Sequence, residues 1–145
     1  MSGKTLIAIA ADHGGFELKE ALKKAFGDKY DWLDLGTSST ESCSYADYGH
    51  KLAEAIENGK AAKGIAICGS GIGISIALNR HKGIRAALCT DATMARLARL
   101  HNDANVLTLG ARIIGRAVAE DCVETFMATA FEGGRHEARV KGIEI

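Results

Sequence analysis

The chain has 145 residues, 47% of them apolar and 25% charged, the proportions of an ordinary globular domain able to build one substantial core. Lys plus Arg and Asp plus Glu each total 18, so the formal net charge is zero. That balance argues against a nucleic-acid binder or an anionic-membrane binder, both of which carry a basic excess. Any cation that matters must act locally.

Four cysteines stand at 43, 68, 89 and 122, with no Cys-x-x-Cys pair and no His at zinc-finger spacing. Because the chain does not read as a small, loop-rich secreted one, free thiols in a reducing cytoplasm are expected, with no metal and no cofactor. An apolar strand begins within five residues of Met1 and is followed by Asp12, which does not fit a signal peptide, and no apolar run reaches membrane-spanning length. One domain over 1–145 is expected, with a C-terminal extension from about residue 132.

Short apolar runs alternate with amphipathic segments throughout. Residues 5–11 read as a buried strand and 16–26 as a helix with Leu18, Leu22 and Ala25 on one face, stopped by Gly27. A strand over 31–35 precedes a helix over 45–58, in which Tyr48, Leu52 and Ile56 keep register before Gly59. A third strand covers 64–68, followed by a helix over about 71–81 and a fourth strand over 84–89. Asp91 caps the next helix, whose inward face is read as Met94, Leu97 and Ala98. The fifth strand is 106–109. A long helix over about 115–131 then carries Val118, Cys122, Phe126 and Ala130 at helical spacing.

Five βα units predict a three-layer α/β/α, Rossmann-like fold with a five-stranded parallel sheet. Continuous apolar strands fit a sheet covered on both faces. In such sheets ligands bind beyond the carboxyl ends of the strands. The first strand ends in Asp12-His13-Gly14-Gly15, the third in Cys68-Gly69-Ser70-Gly71, the fifth in Gly110-Ala111-Arg112. The helix after the fourth strand finishes in His101-Asn102-Asp103.

Cys68-Gly69-Ser70-Gly71-Ile72-Gly73 is the most telling segment. Its glycines let backbone N–H groups approach an anionic oxygen, and a helix N-terminus there favours a thiolate. Three familiar loops fail on these residues. A dinucleotide turn needs G-x-G-x-x-G and a later acid, but Ile74 and Ile84-Arg85-Ala86 stand there; a Walker loop needs Gly-Lys-Ser/Thr; a cysteine phosphatase loop needs Arg at position 74. Cys43, Cys89 and Cys122 read as inert thiols. What remains is a base, an oxyanion cradle, imidazoles and arginines. That set suits proton transfer beside the carbonyl of a phosphorylated sugar. Cys68 would move the carbon-bound proton, while the turn amides, Ser70 and Asn102 stabilise the enediolate. His101 and Asp12 would move hydroxyl protons. Arg112, with Arg135 and Arg139 four apart in the tail beside His136, would hold phosphate.

On these residues the chain resembles the ribose-5-phosphate isomerase B family and its galactose- and allose-6-phosphate relatives. The resemblance runs through Ala11-Asp12-His13-Gly14-Gly15-Phe16, residues 67–75, Arg99-Leu100-His101-Asn102-Asp103-Ala104-Asn105-Val106 and Glu132-Gly133-Gly134-Arg135-His136. It implies metal-independent interconversion of ribose 5-phosphate and ribulose 5-phosphate in the pentose phosphate pathway, by a homodimer or tetramer with shared active sites. It also implies Cys68 as the base, His101 in ring opening, Asp12 on the sugar, and His13, Arg112, Arg135 and Arg139 on the phosphate. Gly69, Ser70, Gly71, Ile72, Gly73 and Asn102 match the enediolate-stabilising positions. Family members without the Cys place a Glu where this chain has Ile74. One departure is Ala46, where relatives commonly carry Pro, and its loss is expected to loosen the loop before the second helix. Two alternatives stay open: a six-carbon aldose phosphate as substrate, or a phosphosugar-binding module without catalysis.

Overall fold

The computed structural model describes residues 3–145. Five parallel strands form one sheet in the order β2-β1-β3-β5-β4. They are β1 (Thr5–Ala11), β2 (Tyr30–Asp34), β3 (Gly64–Cys68), β4 (Ala86–Leu88) and β5 (Val106–Gly110). The helices are α1 (Phe16–Ala25), α2 (Tyr45–Glu57), α3 (Ile72–Asn79), α4 (Ala92–Asn102), α5 (Arg116–Ala128) and α6 (His136–Lys141). The expected three-layer, Rossmann-like architecture is therefore present, with each βα element where the apolar runs placed it.

Alternation along the strands divides the core between the two faces. Ile7, Ile9 and Ala11 join Ile65, Ile67, Leu107 and Leu109 under α1, α4 and α5, where Phe126 and Val123 complete the layer. Ala8, Ala10, Ala66 and Cys68 face the other way, against Leu52 of α2 and Ile74 and Leu78 of α3. The second face is lined by small residues, so α2 and α3 approach closely; in α2, Gly49 sits where a Cβ would stand 3.2 Å from Ala77 Cβ. Lys19 of α1 is buried at 1% exposure, its Nζ bonded to Asp34 Oδ2 at 2.6 Å and Glu20 Oε2 at 2.7 Å. That pairing offsets the cost of a buried cation and ties α1 to β2.

Three details depart from the sequence reading. In α4 the inward face is Ala95, Ala98 and Arg99, while Met94 is 43% and Leu97 36% exposed. The phase turns because Arg99 reaches inward, its guanidinium donating to Asp103 Oδ1 and to the Ala104 and Thr129 carbonyls. In α5 the buried stripe is Ala119, Cys122, Val123 and Phe126, leaving Val118 outside and Ala130 beyond the helix. β4 covers three residues rather than six, as befits an edge strand paired only with β5.

Ala46 does not leave its loop unsupported. Ser44 caps α2 with Oγ accepting from the Ala46 N–H at 3.2 Å, a bond that Pro, lacking the donor, could not make. Asp91 caps α4 as expected, accepting from Met94 N–H at 2.8 Å.

Candidate active site

The chain leaves β1 for β2 on one side, then returns to lay β3 on the other side of β1. The loops after β1 and β3 therefore diverge at a topological switch point, where open α/β sheets bind ligands. Both loops are pinned by backbone bonds. Asp12 N–H donates to Ile67 O at 3.2 Å, Ala111 N–H to Cys68 O at 3.0 Å, and Arg112 N–H to Gly69 O at 2.9 Å.

Cys68 ends β3 and is 3% exposed. Its Sγ accepts from the Gly71 N–H at 3.2 Å, so the turn amide points at the sulfur. Gly71 has φ +79°, a left-handed conformation, and a Cβ there would stand 2.6 Å from Leu88 Cδ1 and 2.8 Å from Leu109 C. Only glycine fits. Ser70 Oγ accepts from Ile72 N–H at 3.1 Å and so starts α3. At Gly73, also in the turn segment, a Cβ would lie 2.5 Å from the Tyr45 ring, which packs there and closes one wall. Burial pushes the Cys89 and Cys122 thiols up to about 12 and about 11.

Asp12 is 6% exposed, and its Oδ1 accepts from the Gly14 and Gly15 N–H groups at 2.9 and 3.2 Å. The carboxylate thus shapes the loop that abuts Cys68. His13 is half-buried, with Nδ1 accepting from the Cys43 N–H at 3.2 Å. In the neutral ring that bond leaves the proton on Nε2, free to donate to an anion. The backbone of Cys43 is a contributor that sequence reasoning missed, and nothing in its local pattern signals it. The Arg112 side chain lies over Gly69, where a Cβ would be 3.5 Å from its Cδ. Asp12, His13, Cys68, residues 69–73 and Arg112 are therefore gathered at one edge.

His101, Asn102, Arg135 and Arg139 lie elsewhere in the same copy. α4 carries the chain from the carboxyl end of β4 back to the amino edge, where the Asn105 N–H and Oδ1 bond the Arg85 carbonyl and amide just before β4 begins. Glu132 N–H donates to Leu100 O at 3.1 Å, which holds the start of the tail against the same helix end. The two groups are separated by roughly 15 Å, the length of a five-residue strand. A cavity of about 600 Å³ opens at this amino edge, lined by Arg80, Lys82, Arg85, Asn102 and Ile143 among others.

At that edge the His101 and His136 rings stack, centroids 4.3 Å apart and planes 17° apart. Glu132 Oε2 is 3.9 Å from the Nε2 of each. Desolvation, then the neighbouring His101 and Arg135, hold the His136 imidazole below its ordinary value. Arg135 and Arg139 are exposed and form no side-chain hydrogen bond or ion pair with the described residues.

A buried thiol in a glycine turn thus lies beside an imidazole and a guanidinium at the switch point of a doubly wound sheet, the place where such folds hold small ligands. The family model for ribose/galactose isomerases matches residues 7–143. The chain is 41% identical to ribose-5-phosphate isomerase B of Escherichia coli over 138 residues, 94% of this chain and 93% of that one. It superposes on ribose-5-phosphate isomerase B of Thermotoga maritima with a TM-score of 0.94 at 50% identity, covering 97% of both chains. The Clostridium thermocellum enzyme of the same name gives 0.94 at 48%, covering 96% of this chain and 95% of that one. The chain belongs to the ribose/galactose isomerase family, whose members named here are sugar-phosphate isomerases, and it is an isomerase. No helix among the described residues is long and apolar enough to cross a membrane.

Proposed function

We propose that this enzyme interconverts ribose 5-phosphate and ribulose 5-phosphate through an enediolate, with Cys68 as the base. The observation that carries the reading is the Cys68 sulfur, held by the Gly71 amide in a turn flanked by Arg112 and the 12–15 loop. The Cys68 thiolate takes the C2 proton of the open-chain aldose, and the electron pair moves onto O1 to form the enediolate. The thiol returns the proton to C1 while the O2 proton passes to O1, leaving the ketose. The free amides of the turn, with Ser70, stabilise the developing oxyanion. His13 and Arg112 face the phosphate.

His101, Asn102, Arg135 and Arg139 complete the site from a second copy. Their separation from Cys68 within one chain supports this, as do the exposed apolar side chains near Cys68. Ile72 and Ile76, one turn apart on α3, are 51% and 59% exposed, and Ile113 is 61% exposed, a surface of the kind partners cover. In the assembled site His101 opens the sugar ring. The whole chain acts as one unit, α6 being the arm that reaches the neighbour, in a reducing cytoplasm that keeps the Cys68 sulfur from oxidation.

Two measurements test this. A coupled assay on ribose 5-phosphate with EDTA present should give turnover, with a lower kcat/KM for allose 6-phosphate; a large advantage for the six-carbon sugar would reassign the substrate. Cys68→Ala and His101→Asn should each be nearly inactive alone. After subunit exchange between them, activity should recover to about a quarter of wild type, because half the dimers are hybrids with one intact site. Exchange verified without recovery would sink the shared site.

A further inference from the structure

His101, Glu132 and His136 place three ligating atoms within 4.8 Å of one another. Backbone bonds fix the group: Glu132 N–H to Leu100 O and His136 N–H to Gly133 O, both at 3.1 Å. The 3.9 Å separations between Glu132 Oε2 and each Nε2 are too long for hydrogen bonds. His136 is 6% exposed, and its buried Nε2 has no hydrogen-bond partner among the described residues. A buried polar atom without a partner calls for an explanation, and this one faces an imidazole and a carboxylate.

Two imidazoles and one carboxylate are donors for a borderline divalent ion such as Zn²⁺, whereas Mg²⁺ and Ca²⁺ take oxygen cages. Tetrahedral zinc needs ligand atoms about 3.3–3.5 Å apart, so the 3.9 Å Glu132 separations must close by about half an ångström and the widest pair of the trio, which spans up to 4.8 Å, by more than an ångström. The side chains of His101 and Glu132 are 38% and 47% exposed; because rings 17° from parallel do not aim their in-plane lone pairs at one point, binding requires the His101 ring to turn out of its stack on His136. His136 is the fixed ligand.

We propose that His101, Glu132 and His136 form a site for a divalent transition ion of the zinc type, with water in the fourth position, and that its occupancy inhibits the enzyme by taking the Nε2 lone pair of His101. Inhibition rests on the ring-opening role proposed above; binding does not.

The full chain is titrated with Zn²⁺ against a chromophoric chelator. One equivalent per chain should be held, and Glu132→Gln and His136→Ala should each weaken it at least tenfold, the lower bound for losing even an outer partner of a metal site. Glu132 is exposed, so its variant tests the site without disturbing packing. Cys43→Ser, and His81→Ala, which breaks the Glu57–His81–His50 chain, should keep the equivalent. Unchanged affinity in Glu132→Gln, or loss in either control instead, would overturn the site. In turnover assays Zn²⁺ should inhibit and EDTA restore activity. Stoichiometric binding with undiminished turnover would overturn the inhibition and the ring-opening role of His101 while leaving the metal site standing.

Discussion

At the carboxyl edge of the sheet, Cys68 and Asp12 are buried and tied to glycine amides, and the loops around them are stitched by backbone bonds. At the amino edge, Arg135 and Arg139 stand exposed on or beside the six-residue α6, and His101 rests on a stacked ring with a carboxylate 3.9 Å away. The first region is ordered by its own backbone; the second leaves its cations exposed, and in the proposed function each region needs the other from a second copy. A reacting atom must be held to within a fraction of an ångström, which backbone bonding achieves. Groups that grip a charged substrate tolerate more freedom, since long cationic side chains adjust to their anion.

The contrast can be broken most directly at the sulfur. Cys68→Ala should lower kcat at least a hundredfold, the usual scale for a positioned acid–base group, with an unchanged fold by circular dichroism. Retained turnover would move the base elsewhere. Gly71→Ala should come next, because its Cβ meets Leu88 and Leu109 and its φ is positive. A loss of about 1–3 kcal/mol is expected, read as a fall of several degrees in Tm; an unchanged Tm would mean the turn is softer than its contacts indicate. On the other edge, Arg139→Ala should raise KM for the sugar phosphate roughly tenfold with little change in kcat. A fall in kcat alone would place that guanidinium in the chemistry. The smallest effect is at the α2 cap: Ser44→Ala should cost about 1 kcal/mol in the natural chain and much less in an Ala46→Pro background, where the bonded N–H is gone. Equal losses in both backgrounds would show that the cap acts through another donor.

Much of this was readable before folding, for physical reasons. Strands buried on both faces must be continuous apolar runs, so their order along the chain was plain, and residues just after them had to sit at the carboxyl edge. Asp12, Cys68 and Arg112 were legible on that ground. The face of α4 was not, because the pattern treats Arg as a surface residue, while Arg99 finds carbonyl and carboxylate partners that let it point inward. The residue pattern grouped His101 and Asn102 with the carboxyl-edge residues and missed their separation from Cys68, which follows from topology, since a helix after a parallel strand returns to the opposite edge. Glu132 and His136 meet His101 across some thirty residues of sequence, and no local spacing reports such a contact. The Ser44–Ala46 bond was hidden because swapping Pro for Ala changes two things at once, chain stiffness and the presence of a donor.

The strand order also sets a timetable. β4 pairs only with β5, and β5 with β3. The strand made fourth therefore has no neighbour until the fifth has been synthesised. A nascent chain halted before residue 106 would hold three strands and leave 86–88 with nothing to pair against. β4 thus enters the sheet only through β5, either after β5 has paired with β3 or as a β4-α4-β5 unit that docks on β3.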